Sequence, residues 1–262
     1  MATPPQSEGR LRDRLDPRLV AVAAVVLLTV AAFVVGNVAG VGFLLLLDAV
    51  RGGVTPLERT LLSLGSLQLL GLVGVGGLYL WRRGRPEVPV SLPSLRGVGV
   101  VVAGWFLMLG GAVATGLLVE ALGVEAPRSA VTQLATSDPN VLLVLFVASF
   151  LVIAPTEELF FRGVVQTRLR EVFGPVGAIG IATVVFGLVH VAGFSGSALS
   201  IAVTILRLTV VAVVLGVAYE YTDNLTVPVA IHAVYNATLF GALYVAVRFA
   251  DIDPTAAGAV LP

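Results

Sequence analysis

The 262-residue chain is 57% hydrophobic and only 12% charged, and its formal net charge is zero. Soluble domains carry about 25% charged residues, so this composition excludes an ordinary soluble domain and indicates a helical membrane protein. A neutral chain also gives no reason to expect nucleic acid as a partner. The absence of cysteine excludes disulfides and thiolate metal sites.

Long apolar runs predict an all-α fold, a polytopic transmembrane helix bundle of about seven spans (six to eight). Residues 1–18 are predicted to be a disordered cytoplasmic tail, residues 19–250 a single membrane domain in the lipid bilayer, and residues 251–262 a short second tail. The predicted spans cover residues 19–47, 57–81, 98–122, 140–173, 176–191, 198–219 and 227–249. The segments between them, including the polar stretch after the third span, are predicted to be loops and turns.

Arginines, the only basic residues of the chain, predict the orientation, because cytoplasmic loops are enriched in positive charge. Eleven arginines fall in the N-terminal tail and in the segments 82–96 and 162–170, on one side of the predicted bundle. Four flank the other side: Arg51, Arg59, Arg128 and Arg248. This bias predicts an integral protein of the cell membrane with a cytoplasmic N-terminus.

A charged stretch, residues 154–163, interrupts the fourth apolar run. Ionisable residues at membrane depth are costly, so they indicate a functional site by default. Glu158 and Arg162 stand at i and i+4 on a helix and are predicted to pair. Glu157 lies about 100° further round the axis. It is therefore expected to have no partner on its own helix and to be available for chemistry, although the Glu158–Arg162 pair could also be purely structural.

Both histidines of the chain lie inside predicted spans. The predicted turn at Phe173 and Gly174 is equally far from Glu157 and His190, so in an antiparallel hairpin these two side chains are expected to face each other at one height. Phe186 shares a helix face with His190 at the i, i+4 spacing.

The last span adds a second pair at the same spacing, His232 and Asn236. A carboxylate and imidazoles around a trapped water molecule are the groups needed for water-activated hydrolysis, and histidine or asparagine donors can stabilise an oxyanion. Glu157, His190 and His232 are also candidate ligands of one divalent metal such as zinc. The chain has no HExxH motif, and the sequence leaves a metal-free site and a metal site both open.

Three motifs in this order resemble those of the CPBP intramembrane protease family, which includes the CAAX prenyl endopeptidases and the Abi proteins. They are EExxxR with a following glycine (Glu157 to Gly163), FxxxH (Phe186 to His190) and HxxxN (His232 to Asn236). The resemblance covers residues 140–240, so the last four spans would hold the catalytic core.

The resemblance implies an intramembrane endopeptidase whose site opens towards the cytoplasm. It implies that Glu157 is the general base, polarising water together with His190, and that His232 and Asn236 support the tetrahedral intermediate. Glu158 and Arg162 would then hold the first glutamate in place, and Phe186 would shape the pocket. The expected substrate is a membrane-bound protein or lipidated peptide, with prenylated CAAX-type proteins as one class, and both a metalloprotease and a metal-free mechanism are compatible with the family.

Two other functions fit the same buried residues. A proton-coupled transporter would use them as a relay, although such proteins are often built from inverted repeats, and the sequence shows no internal repeat. A non-catalytic membrane adaptor or immunity protein would keep a protease-like site for binding alone.

Overall fold

The computed structural model describes residues 16–84, 87–124 and 127–250. Nearly all of the predicted tails, namely residues 1–15 and 251–262, and Arg85 and Glu125 of the predicted loops lie outside the described residues. Within them the chain is a bundle of helices with one two-stranded sheet, which confirms the predicted all-α class.

The helices vary in length from the 8-residue α4 to the 35-residue α1. Their bounds are Pro17–Arg51 (α1), Pro56–Arg82 (α2), Leu95–Ala121 (α3), Ala130–Ser137 (α4), Ala198–Thr222 (α7) and Thr226–Phe249 (α8). Between α4 and α7 the chain is helical over Asn140–Gly193, in the segments Asn140–Ala148, Ser149–Ile153, Ala154–Glu158, Leu159–Gln166, Thr167–Val189 and His190–Gly193.

Six helical segments in the described ranges are long and apolar enough to cross a membrane. The fourth of them, Asn140–Gly193, leaves the helical conformation at Gly174, where φ is 68° and ψ is −178°. Glycine tolerates this positive φ, and the next residue, Pro175, cannot donate a backbone hydrogen bond to a continuing helix. We call the two arms α5 (140–173) and α6 (175–189).

The arms α5 and α6 lie side by side. The Phe161 ring of α5 contacts the Phe186 ring of α6 edge to face, with 5.0 Å between the centroids. These residues lie on opposite sides of the Gly174 turn in the sequence, so the chain reverses there. The predicted turn is confirmed, and the six segments with this reversal agree with seven spans.

The polar stretch after the third span is more ordered than the sequence indicated. Strand β1 (Arg128–Ser129) pairs antiparallel with β2 (Phe194–Ser195), and Ser129 caps α4 by accepting a hydrogen bond from the Val131 backbone. The prediction of a loop and a turn was wrong here, because the pairing joins segments that are distant in sequence and too short to show a pattern of their own.

The bundle has two distinct ends. The end with the Gly174 turn carries several arginine contacts, and we call it the arginine-rich end. They are Arg83 to Glu171 (2.8 Å), Arg170 to Glu220 (2.9 Å), Arg96 to the Tyr221 hydroxyl (3.0 Å) and Arg18 over the Phe173 ring (5.8 Å). The opposite end carries the β1–β2 pair, and we call it the sheet end.

Helices α1 and α2 approach each other closely through glycines. A Cβ atom at Gly36 would lie 2.7 Å from the Leu67 Cα atom, and one at Gly71 would lie 2.5 Å from the Ala32 carbonyl oxygen. Real Cβ contacts are longer than this, so only glycine fits at both positions. The close contact fixes the middle of α2, which is π-helical over Ser66–Gly74, against α1.

Candidate active site

A cavity of about 550 Å³ lies inside the bundle. Its wall is mainly apolar, and all four residues predicted to be catalytic lie on it, together with the predicted supporting residue Phe186. These four are Glu157, His190, His232 and Asn236. The structure therefore brings residues from α5, the end of α6 and α8 to one cavity.

The two glutamates occupy a single α-helical turn, Ala154–Glu158, between two π-helical stretches of α5. Pi-helical turns change the direction of the side chains that follow, and they occur frequently at functional sites. The Glu157 side chain faces the cavity with 13% of its surface exposed, whereas that of Glu158 is completely buried.

The predicted pairing of Glu158 with Arg162 is confirmed. Glu158 Oε2 lies 3.2 Å from Arg162 Nε, and both side chains are fully buried. The alignment is that of a charge pair, not of a hydrogen bond. Arg162 also donates from Nη2 to the Ala212 carbonyl of α7 at 3.1 Å, which ties α5 to α7. This arrangement supplies a counter-charge for a carboxylate that burial would otherwise make costly.

His232 is a second partner of Glu158 that the sequence did not indicate. Its Nδ1 lies 2.8 Å from Glu158 Oε1. Because an ionised carboxylate can only accept, Nδ1 is the donor, and neutral His232 then keeps a free lone pair on Nε2. That Nε2 atom lies 3.9 Å from Glu157 Oε2, so the two glutamates face opposite nitrogens of one imidazole, and only Glu158 is hydrogen-bonded to it.

His190 directly follows α6 and is oriented by the last turn of that helix. Its Nδ1 lies 2.7 Å from the Phe186 carbonyl oxygen, which can only accept, so Nδ1 donates and Nε2 is left for the cavity. Its ring nitrogens are not within 4.0 Å of a carboxylate oxygen in the described part of the chain. His190 and Glu157 thus line the same cavity, as predicted, but they do not touch.

Phe186 packs at the centre of these groups. Its ring centroid lies 4.7 Å from that of His190, 6.0 Å from that of His232 and 5.3 Å from the Arg162 guanidinium carbon. An aromatic face attracts a cation at this distance, so Phe186 separates Arg162 from the histidines while stabilising its charge.

Asn236 is buried on the cavity wall, one helical turn after His232. No hydrogen bond joins its side chain to another residue within the described ranges. A buried amide costs free energy when it has no partner, so a group bound in the cavity is its natural partner.

Comparison with known proteins agrees with this geometry. Residues 139–238 match the family described as Type II CAAX prenyl endopeptidase Rce1-like. This part of the chain is similar to the CAAX protease family. The match confirms the resemblance and begins just before α5, so the Rce1-like region holds all four residues. No curated protein and no solved structure matches the chain.

One polar contact of the site comes from outside the Rce1-like region and was missed in the sequence. Gln68 of α2 donates from Nε2 to Glu157 Oε1 at 2.9 Å, and its own Oε1 accepts the Thr156 hydroxyl. Glu157 has no partner on its own helix, as expected, but it has one on α2. The signal available in the sequence was Gln68 itself, a single amide side chain within a mainly apolar run.

The same residues give no ready metal centre. Among the described residues, no three histidine, aspartate or glutamate side chains converge as ligands, so the proposed set of Glu157, His190 and His232 is not pre-formed. The Glu157 and His232 atoms that face each other are a two-ligand pair at most, whereas catalytic zinc sites use three protein ligands. The arrangement of the Rce1-like region therefore does not fit a bound metal as it stands.

The cavity extends towards the sheet end of the bundle. Its wall includes Ser129, Gly193 and Phe194 there, together with Arg59 and Thr60 near the start of α2, and it continues into the middle of the bundle. The N-terminus and the opening of the site were both predicted to be cytoplasmic. Because α1 begins at the arginine-rich end and the cavity extends towards the sheet end, the two predictions cannot both hold. The first prediction came from arginine counts and the second from the family resemblance, and neither constrained the other.

Proposed function

We propose that this protein is an intramembrane endopeptidase that hydrolyses a peptide bond of a membrane-associated protein with water activated by Glu157 and His232. The carrying observation is the 3.9 Å separation of Glu157 Oε2 and His232 Nε2 on the wall of an internal cavity. A water molecule at about 2.8 Å from both atoms forms a triangle with them. It can donate one hydrogen to each and direct its lone pair at a carbonyl carbon.

In this mechanism the water oxygen bonds to the carbonyl carbon while its proton passes to Glu157, the general base. The Asn236 amide, which has no described partner, donates to the oxyanion of the tetrahedral intermediate. Glu157 then returns the proton to the leaving nitrogen as the C–N bond breaks. His190 offers Nε2 as an acceptor for a substrate N–H group. His232 thus takes the place beside the base that the family resemblance assigned to His190.

The substrate is proposed from the apolar character of the cavity. Leu64, Leu67 and Leu72 of α2 are among the residues that face it. An apolar wall accepts a lipid chain without exposing it to water, which would cost about 0.8 kcal/mol for each methylene group, so a lipidated peptide is a suitable ligand. A prenylated, CAAX-type protein is the substrate class that similarity to this family suggests.

The orientation is proposed from the arginines. The arginine-rich end would face the cytoplasm of the cell, as the positive-inside rule requires. The cavity would then extend towards the opposite membrane face, and the substrate would present its cleavage site from that face or from within the bilayer.

The test is cleavage of lipidated and plain C-terminal peptides by the purified protein in detergent, followed by mass spectrometry. Wild type is compared with Glu157→Gln and with the matched control Glu120→Gln, which makes the same change at an exposed position of α3. We expect cleavage by wild type and control only. Retained cleavage by Glu157→Gln would contradict the proposed role of this carboxylate.

A parallel series with a strong chelator addresses the metal. No step of the proposed mechanism passes through a metal, so activity is expected to survive chelation. Loss with chelator and recovery with zinc would establish a metalloprotease and would require a rearrangement of His190 towards Glu157 and His232.

A further inference from the structure

We propose that Gln68 and Thr156 form a positioning pair that fixes the Glu157 carboxylate for catalysis, so that α2 completes the site of the Rce1-like region. The inference rests on the proposed function. Gln68 lies outside residues 139–238. Its two partners, Thr156 and Glu157, are neighbours in the sequence of α5.

The hydrogen bonds define which way the Gln68 amide points. An ionised Glu157 carboxylate can only accept, so the amide nitrogen must face it, as observed at 2.9 Å. The amide oxygen then faces the Thr156 hydroxyl, which can donate its one hydrogen to this oxygen or to the Val152 carbonyl oxygen 2.8 Å away. Gln68 and Thr156 are both buried, 3% and 7% exposed, so water does not compete for these bonds.

The pair leaves one oxygen of Glu157 for chemistry. Oε1 is occupied by Gln68, while Oε2 points towards His232 Nε2. A hydrogen bond at one oxygen restricts rotation of the carboxylate, so it favours one direction in which Oε2 accepts a proton from water before the substrate binds. Such pre-organisation matters because small displacements of a reacting group can cost about 100-fold in rate.

The packing of α2 against α1 also fixes the position of Gln68. It lies in the π-helical segment Ser66–Gly74, whose position against α1 is fixed by the close approach at Gly36 and Gly71. Glu157 precedes a second π-helical segment, Leu159–Gln166. Both partners of the hydrogen bond thus lie in or beside an irregular helix turn, which is an arrangement typical of functional sites.

The test compares kcat and KM of Gln68→Met, which keeps the shape of the side chain but removes the donor, with those of wild type. We expect kcat to fall about 10- to 100-fold with little change in KM, because orientation of the base matters in the transition state. The matched control is Gln166→Met. Gln166 is another buried glutamine, but its amide donates to Gly216 and Glu220, away from the cavity.

A second pair of variants leaves Gln68 in place and decides the matter if Gln68→Met does not fold. Thr156→Val removes the hydroxyl that faces the Gln68 amide oxygen and is expected to lower kcat. Thr156→Ser keeps this hydroxyl and is expected to keep kcat close to that of wild type. A purely structural role would lower the melting temperature and leave kcat of the folded protein unchanged. The proposal would be overturned if folded Gln68→Met had the kcat of wild type. If Gln68→Met does not fold, a wild-type kcat in Thr156→Val would overturn it.

These outcomes are separate from those of the proposed function. If wild type cleaves and Glu157→Gln does not, while Gln68→Met keeps full kcat, only the positioning role fails. If Glu157→Gln cleaves as wild type does, the proposed function fails first and the role of Gln68 fails with it.

Discussion

His232 joins the two adjacent glutamates of the site, because its Nδ1 donates to Glu158 at 2.8 Å and its Nε2 lies 3.9 Å from Glu157. Glu158 is in turn paired with Arg162. One carboxylate therefore orients the histidine, while the other faces its second nitrogen at a distance that leaves room for a water molecule. In the proposed mechanism, the EE pair of the motif combines a structural and a chemical task in consecutive residues.

The first prediction concerns the buried charge pair. Arg162→Met should lower the free energy of unfolding by about 3–5 kcal/mol, because it leaves Glu158 buried without its counter-charge. Unfolding in detergent, followed by circular dichroism, measures the change. The double variant Glu158→Gln/Arg162→Met should recover part of the loss, since it also removes the charge that was left alone.

The control for this prediction is an exposed pair. Arg83 and Glu171 are 2.8 Å apart and 38% and 40% exposed, so Arg83→Gln should change stability by about 1 kcal/mol or less. Equal effects of Arg162→Met and Arg83→Gln would show that the Glu158 carboxylate is not buried as the structure has it.

The second prediction separates two buried asparagines. Asn236→Ala should lower kcat by about 100- to 1,000-fold, the usual effect of removing an oxyanion donor, with stability almost unchanged. Asn224→Ala should lower stability and leave kcat almost unchanged. The reason is that the Asn224 side chain forms hydrogen bonds with the Ser91 backbone at 3.2 and 3.0 Å and with the Thr226 backbone at 3.1 Å.

Kinetics and melting temperatures of both variants check this contrast. A loss of stability in Asn236→Ala as large as that in Asn224→Ala would mean that the Asn236 amide has a partner in the folded protein. Unchanged kcat in Asn236→Ala would remove this residue from the mechanism.

The sequence was sufficient to predict the residues of the site, but not all the contacts between them. Periodicity and spacing located Glu157, Glu158 and Arg162, because i and i+4 neighbours are set by the helix itself. The hairpin at Gly174 was found from a local Gly–Pro signal. Contacts between distant helices, such as Gln68 with Glu157 and His232 with Glu158, depend on helix packing and π-helical turns, which no local pattern encodes.

The third prediction concerns the packing of α1 on α2. Gly36→Ala should destabilise the protein by about 1–3 kcal/mol, the usual cost of overpacking, because the added methyl group would meet the Leu67 backbone at 2.7 Å. Leu67 precedes Gln68, so cleavage should fall as well. The control is Gly42→Ala in the same helix, where a Cβ atom meets nothing within 4 Å.

Gly42→Ala should raise stability slightly, since glycine in a helix interior costs about 0.5–1 kcal/mol relative to alanine. Thermal unfolding and peptide cleavage of the two variants measure both effects. Gly36→Ala with the stability of Gly42→Ala would show that α1 and α2 are further apart than described.

The fourth prediction concerns which membrane face the cavity meets. The chain contains no cysteine, so a single introduced cysteine reports its own position without background. Ser195→Cys places a thiol in β2 at the sheet end, and Val176→Cys places one beside the Gly174 turn, where Val176 is 83% exposed. Neither residue contributes to the proposed catalytic groups.

In intact cells, a membrane-impermeant maleimide should label Ser195→Cys and leave Val176→Cys unlabelled until the cells are broken. The reason is that the arginine-rich end is expected to face the cytoplasm. Labelling after lysis and retained cleavage of the peptides show that both proteins are folded and inserted. The reverse pattern would place the N-terminus outside and the cavity towards the cytoplasm, and it would show that the local arginines do not determine the orientation of this bundle.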